Sequence, residues 1–268
     1  MSTGPNGLIY MRYTDWNDEA FYLFKNVSYS DFWGTAESHL DSAMAAVVLT
    51  NLATQLDRAA ATAPFAQQRT RIERVTKSMM LFQNAVQAAF LKELGDRSFS
   101  RRCRVREQIV GEDVLFLEPQ VYALQMPAIG VAQKERILGE IRNRVSKGEV
   151  MGARLGEKLI ENPYGDPMFA TGLFWWALNG PLILGVDTFD HQSARKMLHQ
   201  MTFANHARNF PDYWEGYWTA SDAMGSSLMP FEGTIPSPFP AYCGHAHAWP
   251  LYCYYRLRES RKTMNRID

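Results

Sequence analysis

Asp15-Trp16-Asn17-Asp18-Glu19 places three carboxylates and an indole within five residues. Glycoside cleavage needs a protonated carboxylic acid beside the leaving oxygen. A neighbouring aromatic surface stacks the sugar and raises the pKa of such an acid. The bland alternative is a polar turn, with Asp18 capping a short helix. A second acidic segment, Glu161-Asn162-Pro163-Tyr164-Gly165-Asp166, offers a base or hydrogen bonds to hydroxyls, or simply the turn chemistry of Asn, Pro and Gly. The densest aromatic segment is Tyr213-Trp214-Glu215-Gly216-Tyr217-Trp218, preceded by Asn205-His206. It reads as a sugar-binding platform or as a long loop packed on its own rings. Gly244-His245-Ala246-His247 suggests a metal, but histidines two apart on a helix point in different directions and no matching cluster exists, so no metal is expected. Cys243 beside these histidines has no nucleophile signature.

The elements that must position these groups are helical. Leu40, Met44, Val48, Leu52 and Leu56, with Val47, mark one face of a long helix that Pro64 ends. Ile72, Val75, Met79, Phe82, Val86 and Phe90 mark a second, stopped by Gly95, and the two form an antiparallel hairpin. Residues 96–116 carry Arg97, Arg101, Arg102, Arg104 and Arg106 and predict an extended excursion, either a solvated edge or a grip on an anion. A helix starts near Glu118-Pro119, and another carries Ile137, Ile141 and Val145 to Gly148. A hydrophobic helix over 168–186, kinked at Gly180-Pro181, is followed by one capped by Asp190 and carrying Ala194, Met197, Leu198 and Met201. A long aromatic loop over 208–240 leads to a last helix, 241–259, interrupted at Pro250. Residues 1–34 read as loop and short extended pieces. The pattern predicts an all-α domain of about seven helices in consecutive hairpins. In such a toroid of hairpins, the loops converge at the mouth.

The totals narrow the partners. The chain has 268 residues, 46% apolar and 21% charged, with 28 basic and 28 acidic side chains. A zero net charge removes the electrostatic case for nucleic acid or an anionic membrane. No basic segment with an apolar run opens the chain, and no stretch approaches ~18 uninterrupted apolar residues, so neither a signal peptide nor a membrane span is expected. Three cysteines, Cys103, Cys243 and Cys253, fit a reducing, cytoplasmic location. The aromatic content is 13%, with many rings beside Asn, Asp, Glu or His, as in sugar sites or a large aromatic core.

Taken in order, the motifs resemble the catalytic domain of glycoside hydrolase family 94, which holds cellobiose and chitobiose phosphorylases and the phosphorylase-like end of cyclic β-1,2-glucan synthases. The matching residues are Thr14-Asp15-Trp16-Asn17-Asp18, Ala36-Glu37-Ser38, Glu118-Pro119-Gln120-Val121-Tyr122-Ala123, Glu161-Asn162 and Ala241-Tyr242-Cys243-Gly244-His245. The resemblance implies an (α/α)6 toroid and inverting cleavage of a β-linked gluco-oligosaccharide or glucan. It implies Asp18 as general acid, with Glu161 touching the sugar or arranging the nucleophile. Asp15, Trp16, Asn17, Glu37, Gln120, Asn162, Trp176, His206, Tyr213, Trp214, Tyr217 and Trp218 are the expected sugar contacts. Cys243, Gly244 and His245 are the expected anion contacts, with inorganic phosphate as co-substrate and no resident cofactor.

Two departures stand out. The family's phosphate histidine falls in a stretch that here reads Leu173-Phe174-Trp175-Trp176-Ala177, and its phosphate threonine is Cys243. Both remove donors to an anion. Water as nucleophile is therefore the alternative, with Glu161 as base ~6.5–9.5 Å from Asp18. A non-catalytic sugar-binding remnant and an epimerase relying on His206, His245 and His247 are further readings. A whole toroid needs roughly twice these hairpins, and the family's sugar-binding arginine motif precedes the acid motif. A partial toroid is therefore expected, with a missing N-terminal half or a second copy as partner.

Overall fold

Ser38 starts the first long helix: its Oγ accepts the Asp41 backbone N–H at 2.9 Å, the N-cap arrangement. The same chemistry recurs where Asp190 accepts the Ser193 N–H at 2.9 Å and where Ser28 accepts that of Asp31. Gly95 ends one helix, and Gly148 follows the helical turn Arg142–Ser146 that extends another; their φ values of 48° and 79° are ones a side chain disfavours. This is a computed structural model describing residues 2–12, 15–16, 20–162, 165, 168–209, 222–229 and 244–264. It is mostly helical. In chain order the elements are β1 (Ile9–Tyr10), α1 (Tyr29–Thr35), β2 (Ala36–Ser38), α2 (His39–Ala60), α3 (Arg69–Leu94), β3 (Cys103–Val105) and β4 (Gln108–Val110). Then come α4 (Leu117–Ala123), α5 (Val131–Ile141), α6 (Phe169–Gly172), β5 (Phe174–Trp175), α7 (Trp176–Asp187), α8 (His191–Gln200), α9 (Phe203–Asn209), β6 (Ala223–Met224) and α10 (His245–Met264). Among the described residues, no helix is long and apolar enough to cross a membrane.

Helices α2, α4, α7 and α10 begin at one end of the molecule. Arg102 joins Asp15, which bonds the α2 cap Ser38, to Glu118 in the first turn of α4. The Leu117 N–H donates to Leu155, whose own N–H donates to Leu173, just before α7. Asp222, preceding β6, holds His245 at the start of α10, and β6 pairs with β5 directly before α7. Away from that end, Cys253 lies on the Gly180 carbonyl and Ser260 on Asp187, so α7 and α10 run the same way. The return helix α3 packs antiparallel to α2, with Gln83 beside Ala46 and Phe90 beside His39. The excursion at 96–116 is a hairpin, β3–β4, that completes an antiparallel sheet in the order β1-β2-β3-β4.

Several expectations from the sequence need correction. On α2 the buried face is Leu40, Ala43, Ala46, Leu49 and Ala53, while Val48 and Leu52 are exposed. Small alanines let α3 and α4 approach closely, and Val48 and Leu52 of the predicted stripe are left on the outside. The predicted helix over 168–186 is broken: α6 ends at Gly172 and an extended step through Phe174–Trp175 precedes α7, because those residues pair with β6. Pro250, expected to interrupt the last helix, sits inside α10, and Pro181 sits inside α7. Residues 29–35, expected as loop, form α1, and Asn205-His206 lies on α9 rather than in a loop.

The core gathers Phe90, Leu94, Leu117, Val121, Leu124, Ile137, Ile141, Val145, Leu182 and Ile183 from both sides of α4 and α7. Gly180 and Gly185 make this packing close. A Cβ on Gly180 would strike the Trp249 indole, and one on Gly185 would come within 2.7 Å of the Leu124 Cβ. These contacts set how closely α7 packs against α4 and α10.

Candidate functional site

The arginines of residues 96–116 are paired with carboxylates, and among them Arg106 is the one that is largely solvated. Arg102 is fully buried and bonds two carboxylates. Its Nη1 and Nη2 donate to Asp15 at 2.9 and 2.5 Å, and its Nε and Nη2 to Glu118 at 2.6 and 3.0 Å. Burial alone would lower the guanidinium pKa. The charges of Asp15 and Glu118 outweigh it and hold that pKa well above its ordinary value. Outside this triad, Arg101 pairs with Glu93 and Glu112, Arg97 with Glu112, Arg104 with Glu93 and Arg106 with Asp31. The strand pairing of Ser38 with Cys103 brings Arg102 beside the start of α2, and Ser38 Oγ completes the cage by donating to Asp15 at 3.1 Å.

His39 lies under the same cluster. Burial, reinforced by Arg101, Arg104, Arg102 and Arg97, lowers its pKa from 6.5 to about 3, so it is neutral at pH 7. Its Nδ1 is 3.1 Å from Ser100 Oγ and its ring meets the edge of Phe90.

Asp15 is thereby fixed, and Trp16 follows it onto Trp175, ring centroids 5.0 Å apart and planes perpendicular. Trp175 is itself fixed: its Nε1 donates to Ala170 at 2.9 Å and its backbone lies opposite Ala223. The Glu161 segment is tied to the same support. Met168 N–H donates to Ile160 at 2.7 Å, and Ile160 N–H to Thr171 Oγ1 at 3.3 Å. Glu161 itself is exposed. His245 Nδ1 is 3.0 Å from Asp222 Oδ1, at the foot of β6. The β5–β6 pair thus mounts the Trp16 ring and the Gly244-His245 helix start, and α6 just before it holds the Glu161-Asn162 segment.

The remaining expected residues are spread differently. Glu37 is buried, taking the Asn6 backbone N–H at 3.0 Å and its side chain at 2.5 Å. Gln120 is fully buried and bonds Ser100 N–H and C=O at 2.8 and 2.7 Å. Trp176 has no exposed surface and packs between Phe174 and Phe203. His206 is buried on α9. For these four the fold takes up the polar or aromatic surface that an open site would present. Asn17, Asp18, Tyr213, Trp214, Tyr217, Trp218 and Cys243 lie outside the described residues, as does most of the 208–240 loop.

Arg102, Glu118, Trp175, Asp222 and His39 were not among the expected site residues, although they hold the site together. Arg102 and Glu118 carry a faint signal, an arginine run within a short extended excursion and an acid at a helix start. Among the described residues, no group of three or more His, Cys, Asp or Glu side chains could hold a metal ion. The thiols of Cys103 and Cys253 are buried, and burial raises both, that of Cys253 to about 12, so neither is a nucleophile at neutral pH. No model of a protein family matches this chain, and no curated protein matches it.

Proposed function

We propose that the chain is a carbohydrate-active enzyme of the glycoside phosphorylase type, built on part of an (α/α)6 toroid and resembling glycoside hydrolase family 94. The observation that carries the reading is the clamp on Asp15 and Trp16. A buried arginine, a helix cap and a perpendicular indole hold the acidic aromatic segment at the end where α2, α4, α7 and α10 begin. Rigid mounting is what an acid catalyst requires, since it must meet the leaving oxygen within a narrow geometry. Parallel helices with antiparallel return helices between them suit the inner and outer layers of such a toroid.

In this reading Asp18 protonates the glycosidic oxygen of a β-linked gluco-oligosaccharide or glucan. Inorganic phosphate attacks the anomeric carbon from the opposite face, and the C–O bond to the leaving sugar breaks. The products are an inverted sugar 1-phosphate and a shortened oligosaccharide. Trp16 and Trp175 line the sugar, Glu161 helps place the nucleophile, and His245, steadied by Asp222, contacts the anion. A reducing compartment such as the cytoplasm suits the buried free thiols. The exposed apolar residues Val48, Leu52, Val75 and Leu81 of the α2–α3 hairpin suit burial against further helices or a second copy.

One observation favours an inverting hydrolase of the same fold. Trp175 and Trp176 occupy the segment where the family places its phosphate histidine, and Trp176 is sealed in the core. Water would then replace phosphate, with Glu161 as base. Incubating the protein with a β-linked gluco-oligosaccharide, with and without phosphate, separates the readings. Phosphate-dependent sugar 1-phosphate supports phosphorolysis, and reducing sugar released without phosphate supports hydrolysis.

A further inference from the structure

A wide cleft among the described residues lies away from the clamp. It has a volume of about 960 Å³ and lies between the α2–α3 hairpin on one side and the C-terminal halves of α7 and α10 on the other. Its nearest residues on α2 and α10, Ala46 and Tyr252, are seven residues beyond those helix starts. That places it roughly 10 Å along the helix axes from the candidate catalytic end.

The lining mixes apolar residues, among them Val47, Met80, Pro127 and Leu184, with many uncharged polar ones. Five carboxamides face it: Asn51, Gln83, Asn84, Gln87 and Gln125. The hydroxyls of Thr50, Thr188 and Ser260 join them. The two charged members are already engaged. Asp187 takes His191 Nδ1 and Ser260 Oγ, each at 2.6 Å, and Arg256 stands over the Tyr252 ring with its Nη1 3.1 Å from the phenol oxygen. The amides are not all engaged. Gln83 is buried and donates to Ala46 at 3.0 Å and to Gln87 at 3.2 Å, yet its Oε1 has no partner among the described residues. Asn51 and Asn84 are exposed and make no side-chain hydrogen bond there.

We propose that this cleft is a second binding site and that its ligand is a neutral oligosaccharide. A carboxamide donates and accepts without carrying charge, as a sugar hydroxyl does, and the exposed amides of Asn51 and Asn84 are open to a ligand. Uncharged polar groups outnumber the two charged ones in the lining, which favours a neutral ligand over an ion. The volume lies at the upper end of the ~300–1,000 Å³ typical of ligand sites, which suits several sugar rings rather than one. The half-exposed Tyr252 ring offers an apolar edge to sugar C–H groups. The inference rests on the lining alone and stands apart from the catalytic reading.

The test is titration of ¹⁵N-labelled protein with cellotetraose and, separately, maltotetraose, following side-chain amide and indole signals by NMR. Asn51→Ala with Asn84→Ala is the informative variant, because both positions are exposed and an unchanged melting temperature will verify its fold. At least one tetraose is expected to shift the cleft amides saturably, and the double variant to weaken that shift about tenfold while leaving indole shifts unaltered. The proposal is overturned if neither sugar moves the cleft amides at millimolar concentration, or if the double variant binds like the parent. Movement of the Trp16 and Trp175 indoles alone would overturn it while favouring the catalytic reading. Movement of the amides alone would support the cleft and count against that reading. Amide shifts that follow protein concentration without sugar would assign the cleft to a second copy and overturn it.

Discussion

Lowering the pH from 7 to 5 should destabilise this protein through one residue, His39. In the folded chain its pKa is about 3, against 6.5 when unfolded, because burial and the arginines beside it disfavour the imidazolium. Below pH 6.5 the unfolded chain takes up a proton that the folded chain refuses. Stability tied to His39 is therefore complete above about pH 6.5 and is lost progressively down to about pH 3. Each pH unit within that window costs about 1.4 kcal/mol. Between pH 7 and pH 5 the loss works out at about 2 kcal/mol, roughly a thirtyfold change in the unfolding constant. The assay is urea unfolding at both pH values for the parent and for His39→Asn, whose amide reaches the Ser100 hydroxyl as Nδ1 does. The parent should lose about 2 kcal/mol more than the variant. Equal losses, or an imidazole titrating near 6.5 in the folded protein, would refute the reasoning.

Arg102→Met should cost about 3–5 kcal/mol in thermal or urea unfolding, since Asp15 and Glu118 would remain buried without their cation. Gly180→Ala should cost about 1–3 kcal/mol by forcing α10 off α7 at Trp249, read as a drop in melting temperature with unchanged helical circular dichroism. Cys103 and Cys253 should resist a thiol reagent in the native protein and react at once in denaturant. Fast native labelling of either, mapped by mass spectrometry, would contradict their burial.

The helices were legible where a stop residue and a period agreed. Gly95, Gly148 and Asp190 mark real helix ends because each acts through its own backbone or side chain, independent of partners. The buried face of α2 was not legible, because hydrophobic periodicity weighs residues by size. At Ala43, Ala46 and Ala53 smallness decides which helices approach. The strand Ala36–Ser38 has no β-forming character and exists only through pairing with Cys103–Val105, a partner some seventy residues away. The same distance hid the Arg102 triad, whose members come from residues 15, 102 and 118 and meet only once β2 and β3 pair. By contrast, Asp15 and Trp16 stood out as chemistry in the sequence, and their immobilisation by Arg102 and Trp175 is what the fold adds.

The central claim is that this acidic aromatic segment carries the acid of glycoside cleavage, and Asp18→Asn tests it most directly. The measurement is the initial rate of cellotetraose cleavage in phosphate, with sugar 1-phosphate followed by ³¹P NMR and reducing ends counted in parallel. The account predicts cleavage by the parent protein and a fall of at least about a hundredfold in the variant, the scale of a lost general acid. An unchanged rate in the variant, or no cleavage by the parent with phosphate or with water, would contradict it.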